Sequence, residues 1–197
     1  MSSTPHISII IPLYFCSPTL YLPIAHCLAK VKLYYPEYEL IVVDDASPLE
    51  LPGWPITSVN TSNLGFTATV NKGLSLATGD VLIVMNDDII LAEGQLDRFN
   101  DLKGLVIASP ADTASSPDDK FGACWGMTRE TYELLGPLNE RYRNFFSDVE
   151  YYERAEAKDV KIIKWKDIVL SHPESSTFKL LDKETLLKED QERYDSK

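Results

Sequence analysis

Two adjacent aspartates follow an apolar run at residues 81–85, in the order Asn86, Asp87 and Asp88. Neighbouring carboxylates at the end of a buried strand repel each other and resist desolvation unless a cation or hydrogen-bond donors compensate them. A hard divalent cation, Mg²⁺ or Mn²⁺, suits carboxylate oxygens and would in turn hold a diphosphate. Asp is also typical of turns and helix N-caps, so these residues alone indicate either a metal site or a turn.

A second aspartate pair, Asp44 and Asp45, follows the apolar run at residues 39–43. Since the carboxyl ends of neighbouring parallel strands lie at one edge of a sheet, we expect the two acidic pairs to converge on one ligand. A carboxylate at this place accepts hydrogen bonds from a nucleobase N–H or from ribose hydroxyls. The alternative is a turn over residues 45–48, which explains Ser47 and Pro48 but not both acids.

The first half of the chain alternates apolar strands with helical patterns. The first strand, at residues 7–11, is predicted to end at Pro12, and Gly79 is predicted to end the second helix as a left-handed cap. The other predicted elements of this half are helices at 18–33 and 63–77 and strands at 39–43, 56–60 and 81–85. This order predicts an α/β sandwich whose ligand lies beyond the carboxyl ends of the strands.

The second half of the chain continues with less regular patterns. It contains an aromatic-rich segment at residues 121–127. Gly136 and Pro137 are predicted to end the helix that precedes them in the chain. The predicted elements are strands at 105–109 and 160–165 and helices at 128–135, 148–158 and 182–194.

The bulk composition predicts one globular domain over residues 1–197, since 44% of the residues are hydrophobic and 25% are charged. The net charge of -11 argues against broad attachment to nucleic acid or to an anionic membrane face. Three cysteines without a CxxC pair favour a reducing, cytoplasmic setting. The sequence has neither a leader pattern nor a membrane-spanning run, so a soluble protein without stable membrane insertion is expected.

A series of short segments follows in a specific order and spacing along the chain: Ile9-Ile10-Ile11-Pro12-Leu13-Tyr14, residues 39–47, Asn63-Leu64-Gly65-Phe66, Asn86-Asp87-Asp88, Gly126-Met127-Thr128-Arg129, residues 135–142, Asp148-Val149-Glu150 and Val169-Leu170-Ser171-His172. Through this order and spacing the chain resembles a family 2 glycosyltransferase of the inverting GT-A type, over about residues 7–175. The resemblance implies a single GT-A (Rossmann-like) α/β/α sandwich with a mostly parallel central sheet. The nucleotide-sugar half is expected at about 1–100, the acceptor half at about 101–175 and a C-terminal helix at about 182–196.

The resemblance implies roles for individual residues of the donor site. Asp88 matches the metal ligand of the family, and His172 matches a late histidine that meets the metal or the diphosphate in several relatives. Without the family pattern, His172 is more typical of a surface loop before Pro173. Tyr14 would stack on the nucleobase, Asp45 would accept from it, and Asp87 would face the ribose. The positions expected to bind the nucleotide-sugar are Pro12, Tyr14, Asp45, Asn71, Asn86 and Asp87.

Asp148 matches the catalytic base of the family. In a single displacement at the anomeric carbon, a carboxylate must take the acceptor's proton on the face opposite the departing nucleoside diphosphate. Residues 147–150 are also typical of a helix start with Asp148 as its N-cap, where the helix N-terminus would help to keep it ionised. Trp125 and Gly126 match places where relatives contact sugar and acceptor, and a core Trp fits the pattern nearly as well.

The chain departs from the family pattern at two positions. Ser147 stands where an acid is usual and Phe15 where an asparagine is usual, which bears on the acceptor and the sugar more than on the reaction type. A UDP-sugar is the expected donor, Mn²⁺ or Mg²⁺ the expected cofactor, and the acceptor a saccharide, a lipid-linked sugar, a protein or a modified nucleobase. The alternatives are a catalytically silent nucleotide-sugar or carbohydrate-binding module, and a nucleotidyltransferase, whose usual Gly-rich phosphate loop does not follow Ile11.

Overall fold

The computed structural model of the protein describes residues 4–108, 123–165, 177 and 180–196. Its strands are β1 (Ile7–Leu13), β2 (Glu39–Asp44), β3 (Ser58–Val59), β4 (Val81–Met85), β5 (Leu105–Ala108), β6 (Cys124–Thr128) and β7 (Ile162–Trp165). Its helices are α1 (Tyr21–Tyr34), α2 (Phe66–Leu76), α3 (Arg129–Leu135), α4 (Ser147–Ala157) and α5 (Lys183–Asp195). Two short 3₁₀ helices lie at Pro18–Leu20 and Asp97–Asp101.

The strands form one sheet in the order β3-β2-β1-β4-β6-β5-β7. β1 pairs in parallel with β2 and with β4, and the β2–β3 and β5–β7 pairs are parallel as well. β6 runs antiparallel to both of its neighbours, β4 and β5. The predicted α/β fold with a mostly parallel sheet is confirmed, and the carboxyl ends of β1, β2 and β4 lie at one edge.

Helices cover both faces of this sheet. On one face, Ile24 and Leu28 of α1 pack against Ile9 of β1. On the other face, Leu74 of α2 packs in a second core with Ile10 of β1, together with residues of α3 and α4. Successive residues of a strand point to opposite faces, so a strand buried on both sides must be apolar at every position. This is the physical reason for the almost unbroken apolar sequence of β1.

β1 does not end at Pro12, as the sequence pattern predicted, but continues to Leu13. The Leu13 carbonyl accepts from the Asp45 N–H at 2.8 Å, so the backbone polar groups of Leu13 face β2. Neighbouring residues of a strand alternate in direction, and the ring nitrogen of Pro12 therefore faces the β4 side. Ile10 is the last residue of β1 that pairs with β4. Pro12 therefore costs the sheet no hydrogen bond, and the strand passes through it.

Two other expectations are corrected. Gly79 is not a left-handed cap, because α2 ends at Leu76 and the chain leaves it through Ala77 in an extended conformation. Close packing explains the glycine at position 79, because a Cβ there would lie 2.7 Å from the Ser8 backbone nitrogen. Residues 124–127 of the aromatic-rich segment belong to β6, a central strand that the sequence pattern did not reveal.

None of the helices in the described part of the chain has both the length and the apolar character needed to cross a bilayer. Cys16, Cys27 and Cys124 are free thiols.

Candidate active site

Asp87 and Asp88 lie in a turn directly after β4, at the carboxyl edge of the sheet, and are only 8% and 4% exposed. Burial raises the pKa of Asp87 to about 8, and the Asp88 carboxylate contributes to the rise. The backbone N–H groups of Tyr14 and of Asp87 itself donate to this carboxylate and oppose the shift. The Tyr14 contact joins the end of β1 to the end of β4, so two of the predicted strand ends do meet.

The chemistry of this acidic pair fits a hard divalent cation. Two adjacent buried carboxylates stay ionised together only when positive charge compensates them. Within the residues that the structure describes, no three His, Cys, Asp or Glu side chains come together as a complete cage. Mg²⁺ and Mn²⁺ bound with a diphosphate need only one or two carboxylates, since phosphate oxygens and water fill the other positions. The predicted ligand His172 lies outside the described residues.

The Asp44 carboxylate forms a local turn. It accepts from the Ser47 backbone N–H at 3.2 Å and from the Ser47 hydroxyl. The same hydroxyl oxygen accepts from the Phe15 N–H at 2.7 Å. The turn that the sequence suggested for residues 45–48 is therefore built by Asp44, and it also fixes the backbone that follows β1.

Asp45, 4% exposed, has a different and longer-range set of partners. Its carboxylate accepts from the side-chain amide of Asn60 and from the backbone N–H groups of Leu64 and Gly65, each at 2.8 Å. A carboxylate offers about four acceptor positions, so these three bonds leave about one for a ligand. Asp45 thus holds the loop before α2, and contact with a nucleobase remains a prediction.

Tyr14 and Pro12 are partly buried at the carboxyl end of β1. Burial raises the pKa of the Tyr14 hydroxyl, the Cys16 thiol and the Asp45 carboxylate raise it further, and the Arg143 guanidinium lowers it. The hydroxyl of Tyr14 therefore lies within electrostatic reach of both Asp45 and Arg143. This brings together the two strand ends where the nucleotide is expected, while stacking of Tyr14 on a base stays a prediction.

Asn71 of α2 is buried and bonded within the chain. Its side-chain amide donates to the Leu138 carbonyl and to a carboxylate oxygen of Glu140, both at 2.9 Å. Its side-chain oxygen accepts from the Leu138 N–H at 2.9 Å. Both N–H donors of Asn71 are used in this way, so the residue ties α2 to the segment between α3 and α4. The expected contact with the nucleotide-sugar is untested, as is that of Asn86.

Asp148 lies in the first turn of α4 but is not its N-cap, because the helix begins at Ser147 and the cap residue is Phe146. Phe146 adopts a left-handed conformation with φ of 64°, which is rare for an aromatic residue. Burial raises the pKa of Asp148, although the backbone N–H groups of Val149 and of Asp148 itself partly offset it. These N–H groups at the helix N-terminus favour the ionised form, in the expected direction, but burial has the larger effect on the pKa of Asp148.

Trp125 and Gly126 belong to the central strand β6. Trp125 is 2% exposed and packs in the core, with its ring centroid 5.9 Å from that of Tyr151. A Cβ on Gly126 would lie 2.6 Å from the Phe99 ring and 2.9 Å from the Leu82 carbonyl oxygen. Of the two interpretations that the sequence left open, burial and packing favour the core over a sugar pocket for both residues.

Arg143 is a candidate site residue that the sequence motifs did not single out. Its guanidinium donates to the backbone and side-chain oxygens of Asn63, each at 2.9 Å. Its carbonyl accepts from the Thr67 N–H at 3.0 Å, and a Cβ on Gly65 would lie 2.4 Å from the Arg143 side chain. An exposed cation is thus fixed at the start of α2, within electrostatic reach of Tyr14. No pattern in the neighbouring sequence singles it out, because its partner Asn63 lies 80 residues away in the chain.

The first half of the chain is similar to a family of known proteins. The family model described as Glycosyl transferase family 2 matches residues 8–102, a range that contains both acidic pairs. Residues 8–102 are thus similar to glycosyl transferases of family 2. The matched range ends before β5, so the positions of Trp125, Asp148 and His172 are not part of the match.

A solved structure similar to this chain is the mannosyltransferase PcManGT from Pyrobaculum calidifontis, in complex with GDP-Man and Mn²⁺. The two share 18% sequence identity with a TM-score of 0.67, over 91% of this chain and 60% of that one. The likeness confirms the GT-A fold, and a fold by itself does not determine a substrate. The chain spans 60% of the length of that mannosyltransferase. No curated protein sequence matches the chain.

Proposed function

We propose that this protein is an inverting, metal-dependent glycosyltransferase, which moves a sugar from a nucleoside-diphosphate sugar to an acceptor hydroxyl. The observation that carries the proposal is the buried Asp87-Asp88 pair after β4, bonded through the Tyr14 backbone to the end of β1. Such a pair is costly without a cation, and a cation there faces the edge of the sheet where α/β proteins bind nucleotides.

Each donor-side residue then has a proposed task. Asp88 is the metal ligand, with His172 as a second ligand on the strength of the family resemblance. Asp87 faces the ribose, while Tyr14 and the remaining acceptor position of Asp45 meet the nucleobase. When bound, Mn²⁺ or Mg²⁺ holds the diphosphate and stabilises the negative charge of the leaving nucleoside diphosphate. A UDP-sugar is the first candidate donor, and the GDP-Man bound by the similar mannosyltransferase makes a GDP-sugar the second to test.

Asp148 is the proposed general base. As the acceptor oxygen bonds to the anomeric carbon, Asp148 takes the hydroxyl proton, and the bond from that carbon to the diphosphate breaks with its electron pair leaving on the diphosphate. The sugar configuration inverts, because the two bonds lie on opposite faces. Burial raises the pKa of Asp148, which brings its basicity closer to what proton transfer near neutral pH requires.

Calorimetric titration of UDP and GDP with and without Mn²⁺, joined to a donor-hydrolysis assay, tests the proposal. Asp88→Ala should abolish metal-dependent nucleotide binding. Asp148→Asn should bind nucleotide as the wild type does and lose about 10²-fold or more in turnover, the usual contribution of a general base. Equal nucleotide affinity with and without metal would refute the metal site. Binding without turnover of any donor would instead identify a catalytically silent nucleotide-sugar module.

A further inference from the structure

The C-terminal helix α5 contributes a single buried residue, and that residue is charged. Asp190 is 0% exposed, whereas the rest of α5 is partly or fully exposed. A buried carboxylate is stable only when donors or cations satisfy it. The partners of Asp190 therefore show what this helix does for the rest of the domain.

Three consecutive backbone N–H groups donate to the Asp190 carboxylate. They belong to Arg143, Asn144 and Phe145, at 2.9, 2.8 and 2.9 Å. A series of N–H groups that converge on one point forms an anion-binding nest, and here the chain supplies its own anion. Arg193 of α5 completes the set with a bond of 2.5 Å. Four donors use all of the acceptor positions of the carboxylate.

The segment that Asp190 holds, residues 143–146, lies directly before the helix that carries Asp148. Its last residue, Phe146, has the left-handed φ of 64° noted above, a conformation that persists only where the surroundings impose it. The Tyr194 ring of α5 stacks on the Phe146 ring at 5.1 Å between centroids, and its hydroxyl donates to Glu153 of α4. α5 thus contacts both the segment and the helix that follows it.

The same segment also reaches the donor half. The side-chain oxygen of Asn144 accepts from the Phe66 N–H at 3.2 Å, and the Arg143 carbonyl accepts from Thr67 at 3.0 Å. These contacts lie at the start of α2, next to the loop that Asp45 holds. Segment 143–146 is therefore fixed between α2 on one side and α5 on the other.

We propose that Asp190 is a positioning residue for the reaction: it fixes segment 143–146 and thereby the direction in which the first turn of α4 presents Asp148 to the acceptor. This rests on the proposed function, because it assigns the proton transfer to Asp148. It makes α5 part of the acceptor side of the enzyme. Arg141 adds to the same contact, since its guanidinium donates to the Ser196 hydroxyl at 2.7 Å.

Three variants test the proposal. Asp190→Asn keeps the shape of the side chain and one acceptor oxygen but places an amide group against the backbone N–H groups. Tyr194→Leu removes the ring on Phe146 and leaves the carboxylate. The matched control is Asp182→Ala, which removes the N-cap of α5 at the far end of the helix from Tyr194, where Asp182 accepts from the Thr185 N–H at 3.2 Å.

Each variant is measured by steady-state turnover with its pH dependence, by nucleotide affinity, and by amide hydrogen exchange at residues 143–145. We expect Asp190→Asn to lower kcat at least tenfold, with the UDP and GDP affinities within threefold of wild type and faster exchange at the three amides. The acid limb of its pH–rate profile should move to lower pH, because a loosened segment lets water reach Asp148 and so reduces the effect of burial on its pKa. Tyr194→Leu should act in the same direction, and Asp182→Ala should match the wild type.

Failure of this proposal and failure of the proposed function give different results. A wild-type protein that turns over no donor refutes the proposed function. An active wild type whose Asp190→Asn variant keeps its kcat and its pH profile refutes the positioning role alone. Unchanged exchange at residues 143–145 in Asp190→Asn overturns the claim that this carboxylate holds the segment.

Discussion

Removing the Asp45 carboxylate should destabilise the protein by an amount set by the donors that it leaves behind. Asp45→Ala deprives Asn60, Leu64 and Gly65 of an acceptor at 2.8 Å. Leu64 is 46% exposed, so water can replace its lost bond, whereas Asn60 is 4% exposed and Gly65 is buried. Each buried donor without an acceptor costs about 1–3 kcal/mol, so we expect a loss of about 2–6 kcal/mol. In a domain of this size, that corresponds to a fall in Tm of roughly 10 °C.

Urea unfolding measures this effect, with Asp45→Asn and Glu133→Ala as companions. Asp45→Asn keeps one side-chain oxygen and should lose roughly half as much stability, since mainly the Gly65 N–H faces the new amide. Glu133→Ala removes the same charge from an exposed position of α3 and should stay within about 0.5 kcal/mol of wild type. A loss below about 1 kcal/mol in Asp45→Ala, with an unchanged denaturant slope, would refute the conclusion that this carboxylate holds the loop.

Nucleotide binding by the Asp45 variants distinguishes a loop-holding role from base recognition. If Asp45 acts by holding the loop before α2, Asp45→Asn weakens UDP and GDP binding by a similar factor. If its remaining acceptor position reads the base, the two nucleotides respond differently, because uracil and guanine present different N–H groups. Because the proposed function places the remaining acceptor position of Asp45 at the nucleobase, we expect the different response, and calorimetric titration of both nucleotides in parallel decides between the two outcomes.

Gly126→Ala should lower the free energy of unfolding in urea by about 1–3 kcal/mol, because its Cβ would meet the Phe99 ring at 2.6 Å and the Leu82 carbonyl at 2.9 Å. An unchanged free energy of unfolding would indicate an open pocket instead. Burial raises the pKa of Asp148, so kcat/KM should increase with pH, with the midpoint of this increase above about 3.9, the ordinary pKa of Asp. A midpoint at or below that value contradicts the assignment of Asp148 as the base. Burial alone would raise the pKa of Asp190, but the three backbone N–H groups and a guanidinium outweigh it and lower the pKa. The ionised Asp190 therefore stabilises the fold above the unfolded Asp pKa of about 3.9, and this contribution is lost as pH falls through the lower folded value. Urea midpoints between about pH 3 and pH 5 should thus fall less steeply in Asp190→Asn than in wild type, and parallel curves would contradict the assignment.

The local sequence pattern predicted those elements whose signal lies within a few neighbouring residues. β4 was predicted at its observed bounds because a run of apolar residues ends at a polar turn, and the terminal helix predicted at residues 182–194 differs by one residue at each end from the observed α5, Lys183–Asp195. β6 was missed because the strand has only five residues and includes a glycine, so its sequence shows no clear alternation of apolar and polar residues. Its place between β4 and β5 is decided by pairing with residues far away in the chain.

By itself, the sequence determined the fold class, the edge of the sheet where acids collect, and the candidate residues there, since these depend on hydrophobic period and on what ends each strand. Only the tertiary structure decided how each carboxylate is used. Asp45 and Asp190 have the same side chain, and each is buried and bonded to backbone N–H groups far from it in sequence: 19 and 20 residues away for Asp45, and 45 to 47 for Asp190. Such partners meet only when the chain folds, because a hydrogen bond depends on the distance and direction between two groups and not on the residues beside them.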